Sequence, residues 1–177
     1  MSKSDEALTP MLVKDLDLAN GKILYNLSEG RIIPSSEENT DKWDVAFDRV
    51  SILANNKGQM ILKDFDAVEI APQDNYLTGE SGSGVEIEDG QGKSWYHYNP
   101  DTHAVSAVDG RTFIVMTSQG TYAKLQILSY YKQEDPEKGA PRFLTFRYAH
   151  QDNQTSSLAS IPDTTIPIKL RQDSISQ

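Results

Sequence analysis

Large apolar residues at every second position, beginning at Trp43, constrain the fold of this chain more than any other feature. The stretch WDVAFD at 43–48 alternates in this way, and the pattern continues through Val50, Ile52 and Ala54. A period of two is typical of a β-strand that buries one face. NNKG at 55–58 then supplies turn residues. The region therefore predicts strands with one face in a core.

The same logic extends along the chain. RTFIVMTSQGTYAKLQILSYY at 111–131 predicts a β-hairpin, with strands at Thr112–Thr117 and Thr121–Tyr131 joined by a turn at 118–120. A further strand is predicted at 143–150, and two short ones within 21–34. Helical periodicity is weak throughout. We predict an all-β protein, mainly antiparallel, with long loops at 34–42, 73–93 and 132–142 and a short strand at Val85–Glu88.

Composition divides the chain into three parts. Residues 1–20 form an N-terminal segment, residues 21–150 one β domain, and residues 151–177 an extended C-terminal tail that lies along the body. The tail has isolated apolar residues and two prolines, and TIPIKL at 165–170 could serve as an edge segment that tolerates Pro167.

Charge and cysteine content exclude several classes of function. The chain has no cysteine, which removes disulfides, thiol catalysis and cysteine-ligated metal sites. Its formal net charge of −9 disfavours nucleic acids and anionic membranes as partners. No apolar run reaches the roughly 18 residues of a membrane span. MSKSDEALTP at the start lacks a signal-peptide core, so either the protein is intracellular or its targeting segment is missing from this sequence.

The stretch SWYHYNPDTHAV at 94–105 carries the main candidates for a binding site. His97 and His103 lie on either side of an Asn-Pro-Asp turn. One interpretation is structural, with His97 packed on Trp95 and His103 capping the turn. The other is metal binding, for which imidazole is the commonest side chain. His150, at the end of a predicted strand, is expected to face solvent.

Two histidines are too few for a zinc site, but two axial ligands suffice for haem, because the porphyrin supplies four nitrogens. Methionine sulfur also ligates haem iron. Met60 and Met116 are therefore candidates, although methionine more often fills a core. No nucleophile elbow, zinc-protease motif or phosphate-binding loop occurs, so we predict that the protein is not an enzyme.

Several segments, read in order, resemble the HmuY family of Bacteroidetes haem-binding lipoproteins: ILYNLSEGRIIP, DKWDVAF, APQDNY, WYHYN, RTFIVMTSQGTYAKLQILSYY and FLTFRY. The resemblance covers roughly residues 21–150, and WD-x-AF and GTYAKLQI are specific in combination. It implies an all-β, hand-shaped fold in which projecting loops grip haem. It also implies an exported protein at the outer membrane, the cell surface or outside the cell, with a lipid anchor in the native precursor.

Only some of the haem ligands that the resemblance implies have counterparts in this sequence. The best-known member uses two histidines, one in the loop before the WYHYN-like strand and one just after it. Here that loop, ESGSGVEIEDGQGK at 80–93, has neither His nor Met. The second position falls near Asn99-Pro100, which His97 and His103 flank. Other members are thought to use methionine, which keeps Met60 and Met116 as candidates.

The sequence therefore predicts a haem-binding protein for haem or iron acquisition that acts by axial coordination without catalysis. Its expected partners are haem or haem-carrying proteins and an outer-membrane receptor. At least one axial ligand should be His97 or His103, with Met60 or Met116 as the partner, and Lys93 or Arg111 near the propionates. The alternative is a HmuY-like protein that has lost haem and binds another ligand or a partner protein.

Overall fold

The computed structural model describes residues 6–80, 83–87 and 94–162 of the 177-residue chain. These residues contain β-strands and three short 3-10 turns, at Ser35–Glu37, Phe65–Ala67 and Lys132–Glu134. In chain order the strands are β1 (Met11–Asp17), β2 (Ile23–Asn26), β3 (Arg31–Ile33), β4 (Val45–Asp48), β5 (Ser51–Ala54), β6 (Lys57–Ile61), β7 (Leu77–Thr78), β8 (Val85–Glu86), β9 (Tyr96–Tyr98), β10 (Val105–Ala107), β11 (Thr112–Met116), β12 (Tyr122–Tyr131) and β13 (Pro141–His150).

The strands form two larger sheets and one two-stranded ribbon. The six-stranded sheet has the order β1-β13-β12-β11-β6-β7, and the five-stranded sheet has the order β3-β2-β4-β5-β8. The ribbon consists of β9 and β10. Neighbouring strands are antiparallel in all three, so the predicted all-β, mainly antiparallel fold is confirmed. No helix in the described part of the chain is long and apolar enough to cross a membrane.

The main core lies between the two larger sheets. Phe47 of the five-stranded sheet and Phe146 of the six-stranded sheet are both fully buried, and their ring centroids are 4.7 Å apart. Tyr25 meets Phe146 edge-on at 5.6 Å. The alternation that begins at Trp43 produces this packing, because it places Val45 and Phe47 on the face of β4 that points into this core. Trp43 itself packs in a smaller cluster with Ala46.

The outer face of the six-stranded sheet buries a cation. Lys124 is fully buried on β12, and its Nζ donates hydrogen bonds to the carbonyl oxygens of Phe65 and Val68 at 2.7 and 2.9 Å. The guanidinium of Arg147 stacks on the Phe65 ring at 4.2 Å. Burial lowers the pKa of Lys124 to about 8, although the negative charge of Asp66 opposes this. Lys124 thus ties the covering segment to the sheet.

The predicted hairpin is confirmed, since β11 and β12 pair directly and enclose the predicted turn. The strand predicted at 143–150 begins two residues earlier, at Pro141. The strand predicted at Val85–Glu88 is observed over Val85–Glu86, and Glu88 is outside the described residues.

Both ends of the described chain lie against the sheet. Strand β1 pairs with β13 at the edge of the six-stranded sheet. Residues 156–158 bond to 69–71, through Ser156 O with Ala71 N and Glu69 O with Leu158 N. Leu158 is fully buried as a result. The TIPIKL segment at 165–170 is outside the described residues.

Candidate functional site

A pocket opens where the two sheets meet the ribbon. Its volume is about 250 Å³, and its accessible surface is about equally polar and apolar. The lining residues are Val50, Ser51, Ile52, Met60, Glu86, Ile87, Ser94, Trp95, Tyr96 and Phe113. Small-molecule sites combine apolar and aromatic side chains with a few polar groups, and here Ser51, Glu86 and Ser94 are the polar lining residues.

Trp95 fixes one wall of this pocket. It is buried, and its indole N–H donates a hydrogen bond to the carbonyl oxygen of Val50 at 2.9 Å. Its ring centroid lies 5.1 Å from that of Tyr96 and 6.5 Å from that of Tyr130. Trp95 therefore packs on Tyr96 and Tyr130, while His97 is exposed.

The two candidate methionines lie on opposite faces of the six-stranded sheet. Met60 pairs with Phe113 across β6 and β11, and both line the pocket. Met116 is three residues along β11 from Phe113, so its side chain points to the other face. There it packs in a separate cluster that contains Tyr122 and Leu158. Only Met60 of this pair reaches the pocket.

The ribbon also separates the two candidate histidines. His97 on β9 is exposed and pairs with the exposed Ser106. Successive side chains of a strand point to opposite faces, so His97 and Tyr98 lie on different sides of the ribbon. His103, also exposed, has its Nδ1 atom 2.5 Å from the Tyr98 hydroxyl. The imidazole of His103 is thus on the Tyr98 side, away from His97.

A hydrogen bond between the Tyr98 hydroxyl and Nδ1 orients the imidazole of His103. The donor depends on the tautomer: with Nδ1 as the donor, Nε2 carries the lone pair that a metal requires, whereas with the hydroxyl as the donor, Nε2 carries the hydrogen. His103 has a left-handed backbone, with φ of 63°. The turn is capped by the Asn99 side chain, which accepts from Asp101 N at 2.8 Å, rather than by His103 as expected. Tyr98 was not among the residues predicted for the site, although the register of the β9–β10 hairpin could have suggested its contact with His103.

The remaining predicted residues are more dispersed. Lys93 is outside the described residues. Arg111 precedes β11, with Nη1 donating to Gly110 O at 3.3 Å, and its buried Nε has no hydrogen-bond partner in the described part of the chain.

The expectation that His150 faces solvent is wrong. His150 is half-buried, its Nε2 lies 2.9 Å from the Thr121 hydroxyl, and burial lowers its pKa.

The described residues include two of the donor types that haem iron takes, a thioether and an imidazole. Residues 6–80, 83–87 and 94–162 contain no cluster of three or more His, Asp or Glu side chains that could hold a metal ion. Met60 offers a thioether in the wall of the pocket, and His103 offers an oriented imidazole on the adjoining ribbon. Haem needs only two such axial donors.

Comparison with known proteins gives the family. A sequence model described as HmuY protein matches residues 18–148. The chain belongs to the HmuY family. The recognised segments of this HmuY-family chain, from ILYNLSEGRIIP to FLTFRY, all lie within that match. None of the curated protein sequences matches the chain.

Solved structures share the fold of this HmuY-family chain at low sequence identity. The apo HmuY analog of Tannerella forsythia is 18% identical with a TM-score of 0.59, covering 86% of this chain and 100% of that one. Apo PinO from Porphyromonas gingivitis is 14% identical with a TM-score of 0.55, covering 82% and 97%. A protein from Bacteroides fragilis described as a putative lipoprotein is 15% identical with a TM-score of 0.54, covering 84% and 96%.

Proposed function

We propose that this HmuY-family protein binds haem and passes it on without transforming it. The observation that carries the proposal is the position of Met60, whose thioether lines an aromatic pocket beside the ribbon that bears His103. Membership of the family supports the same conclusion, because its resemblance implies haem capture. The function is then binding and hand-over rather than catalysis.

The proposed axial ligands are one histidine of the ribbon and Met60. Two donors on opposite sides of one iron, each at about 2 Å, are about 4 Å apart. His97 and His103 project from opposite faces of the same ribbon, which argues against both binding one iron. His103 is the leading candidate because Tyr98 orients it. Met116 is disfavoured, because it packs on the other face of the sheet.

The pocket would take only part of a porphyrin. Its volume of about 250 Å³ is below the roughly 300–1,000 Å³ usual for small-molecule sites. Trp95 and Tyr96 supply aromatic surface for the macrocycle, while haem iron supplies the coordination chemistry when bound. We further propose that the protein works at the cell surface or outside the cell, lipid-anchored in its precursor, and delivers haem to an outer-membrane receptor.

A haem titration followed by visible absorbance tests the proposal. The proteins compared are the parent, His97→Ala, His103→Ala, the double histidine variant and Met60→Leu, with Met116→Leu as the matched control. We expect His103→Ala and Met60→Leu to shift the absorbance band and weaken binding, and Met116→Leu to behave as the parent. An unchanged spectrum and affinity in the double variant would overturn the histidine assignment. No specific binding by the parent would overturn the haem proposal itself.

The second candidate function is binding of a smaller, iron-free ligand. The limited volume of the pocket favours it. Binding of an apolar probe that Met60→Leu leaves unchanged, together with no haem binding, is the outcome that would select this alternative.

A further inference from the structure

Three side chains at the turn of the β11–β12 hairpin form a continuous chain of hydrogen bonds. Thr121 Oγ1 lies 2.9 Å from His150 Nε2 and 2.6 Å from Thr117 Oγ1. Thr117 Oγ1 also accepts the backbone N–H of Thr121 at 3.2 Å. Thr117 is 1% exposed and Thr121 is 7% exposed. Water therefore has little access to either hydroxyl, and their hydrogens must find acceptors within the protein.

The number of donors and acceptors in this chain favours one tautomer of His150. With the ring hydrogen on Nδ1, the Thr121 hydroxyl donates to Nε2, the Thr117 hydroxyl donates to Thr121 Oγ1, and the Thr121 N–H donates to Thr117 Oγ1. Every hydrogen then has an acceptor. With a hydrogen on Nε2 the order reverses, and the Thr117 hydroxyl has no acceptor among the described residues. Because an unpaired buried donor is costly, we infer that Nε2 is the acceptor.

Protonation of His150 forces the reversed order, because both nitrogens of the imidazolium ring carry hydrogen. Burial lowers the pKa of His150 from its ordinary value of 6.5, and the negative charge of Asp152 opposes this. Among the described residues Asp152 is the charged group that acts on the ring, since the neighbouring Thr117, Thr121 and Ala123 are uncharged. The stability that neutral His150 contributes is therefore complete above pH 6.5 and is lost as pH falls below it.

The same turn is attached to the crossover between the two larger sheets. The Nδ2 atom of Asn56 donates to the carbonyl oxygen of Thr117 at 3.1 Å. Asn56 lies between β5 of the five-stranded sheet and β6 of the six-stranded sheet, and its carbonyl oxygen accepts the N–H of Gly79 at 2.7 Å. Strands β5 and β6 supply Ile52 and Met60 to the pocket. A change at Thr117 thus reaches a segment that connects both sheets.

We propose that Thr117, Thr121 and His150 form a pH-sensitive lock that holds the β11–β12 turn on this crossover and opens in mild acid. At neutral pH every hydrogen of the chain has an acceptor. In acid the imidazolium reverses the chain and leaves the Thr117 hydroxyl unpaired, which loosens the turn and its contact with Asn56. The lock uses neither Met60 nor His103, so it goes beyond the proposed haem function and is tested without a ligand.

Nuclear magnetic resonance of the ¹⁵N-labelled protein provides both measurements. The imidazole ¹⁵N shifts give the tautomer of His150 and its titration. Exchange of the backbone amide hydrogens of Thr121 and Gly79 reports opening of the turn and of the crossover. The amide of Gly139, which donates to Asp135 O at 2.7 Å, is the internal reference.

Three variants are compared with the parent at each pH. His150→Gln removes the titrating group and keeps a polar side chain. Thr121→Val keeps the shape of the side chain and removes the hydroxyl that connects His150 to Thr117. His97→Gln, at an exposed position on the ribbon, is the matched control for the loss of a histidine.

We expect Nε2 of the parent to lack a hydrogen at neutral pH. As pH falls from about 7.5 to 5, exchange of the Thr121 and Gly79 amides in the parent should rise about tenfold or more relative to His150→Gln, as one unpaired buried hydroxyl implies. Exchange of the Gly139 amide should show no such difference. His97→Gln should follow the parent, and Thr121→Val should follow His150→Gln.

Three results would overturn the lock: an Nε2–H tautomer at neutral pH, amide exchange that ignores the titration of His150, or an equal rise in His150→Gln. A response of the Thr121 amide without one of the Gly79 amide would overturn the connection to the crossover. The tautomer is measured on the parent protein, so the proposal can fail even if a variant does not fold.

Discussion

Asp44 is a buried acid, and its replacement by Asn should change how the stability of the protein depends on pH. The residue is 2% exposed, and its Oδ2 accepts a hydrogen bond from the backbone N–H of Leu27 at 2.8 Å. Burial raises the pKa of Asp44 from 3.8 to about 6, although the backbone hydrogen bonds of Leu27 and Ser28 act in the opposite direction. The cost of burying the charge outweighs these bonds.

The folded protein consequently binds a proton at Asp44 more tightly than the unfolded chain does. Its contribution to the free energy of unfolding is fully present below pH 3.8 and is lost as pH rises through about 6. A shift from 3.8 to about 6, at about 1.36 kcal/mol per pH unit, amounts to about 3 kcal/mol between the two limits. About 2 kcal/mol of this change falls between roughly pH 4.5 and 7.5.

Urea unfolding of the parent and Asp44→Asn, followed by tryptophan fluorescence at several pH values, measures this change. We expect the parent to lose about 2 kcal/mol relative to the variant as pH rises from roughly 4.5 to 7.5. Asp41→Asn, which removes the same charge at an exposed position, should follow the parent. A parent–variant difference that is constant with pH would refute the reasoning. A parent that gains stability over the variant as pH rises would show that the backbone hydrogen bonds outweigh burial.

Three further outcomes are expected. Lys124→Ala should lower the free energy of unfolding by about 3–5 kcal/mol, because two buried carbonyl oxygens lose their donor and a cavity forms. As the control, Lys138→Ala at an exposed position should change the free energy of unfolding by less than about 0.5 kcal/mol. Since the pKa of Lys124 is lowered to about 8, the parent should gain stability relative to Lys124→Ala as pH rises from about 8 to 10.5 in urea unfolding. A loss no larger than that of Lys138→Ala would contradict the first expectation. Limited proteolysis with mass spectrometry should show cleavage within 80–93 or 151–177 before 112–131, because these segments have few apolar residues to offset the cost of ordering the backbone; early cleavage in the hairpin would contradict this.

The strands and the hairpin could be predicted from sequence because their signals are local. The alternation that begins at Trp43 has the period of a strand, and the turn at 118–120 lies between two β-rich runs. Recognition of the family depended likewise on short segments in order, and the match over residues 18–148 confirms it. The candidate residues Met60, His97 and His103 could be named for their chemistry, since donor type is a property of the side chain alone.

Only the tertiary structure decided which of these donors reach the pocket. Met60 and Met116 are chemically alike, but the register of β6 and β11 turns Met60 into the pocket and Met116 to the opposite face. In the sequence, Lys124 has the character of a strand residue that faces solvent. In the structure, the segment around Phe65 covers it. Strand periodicity assigns a side chain to a face, whereas what lies over that face is determined by pairings between distant segments.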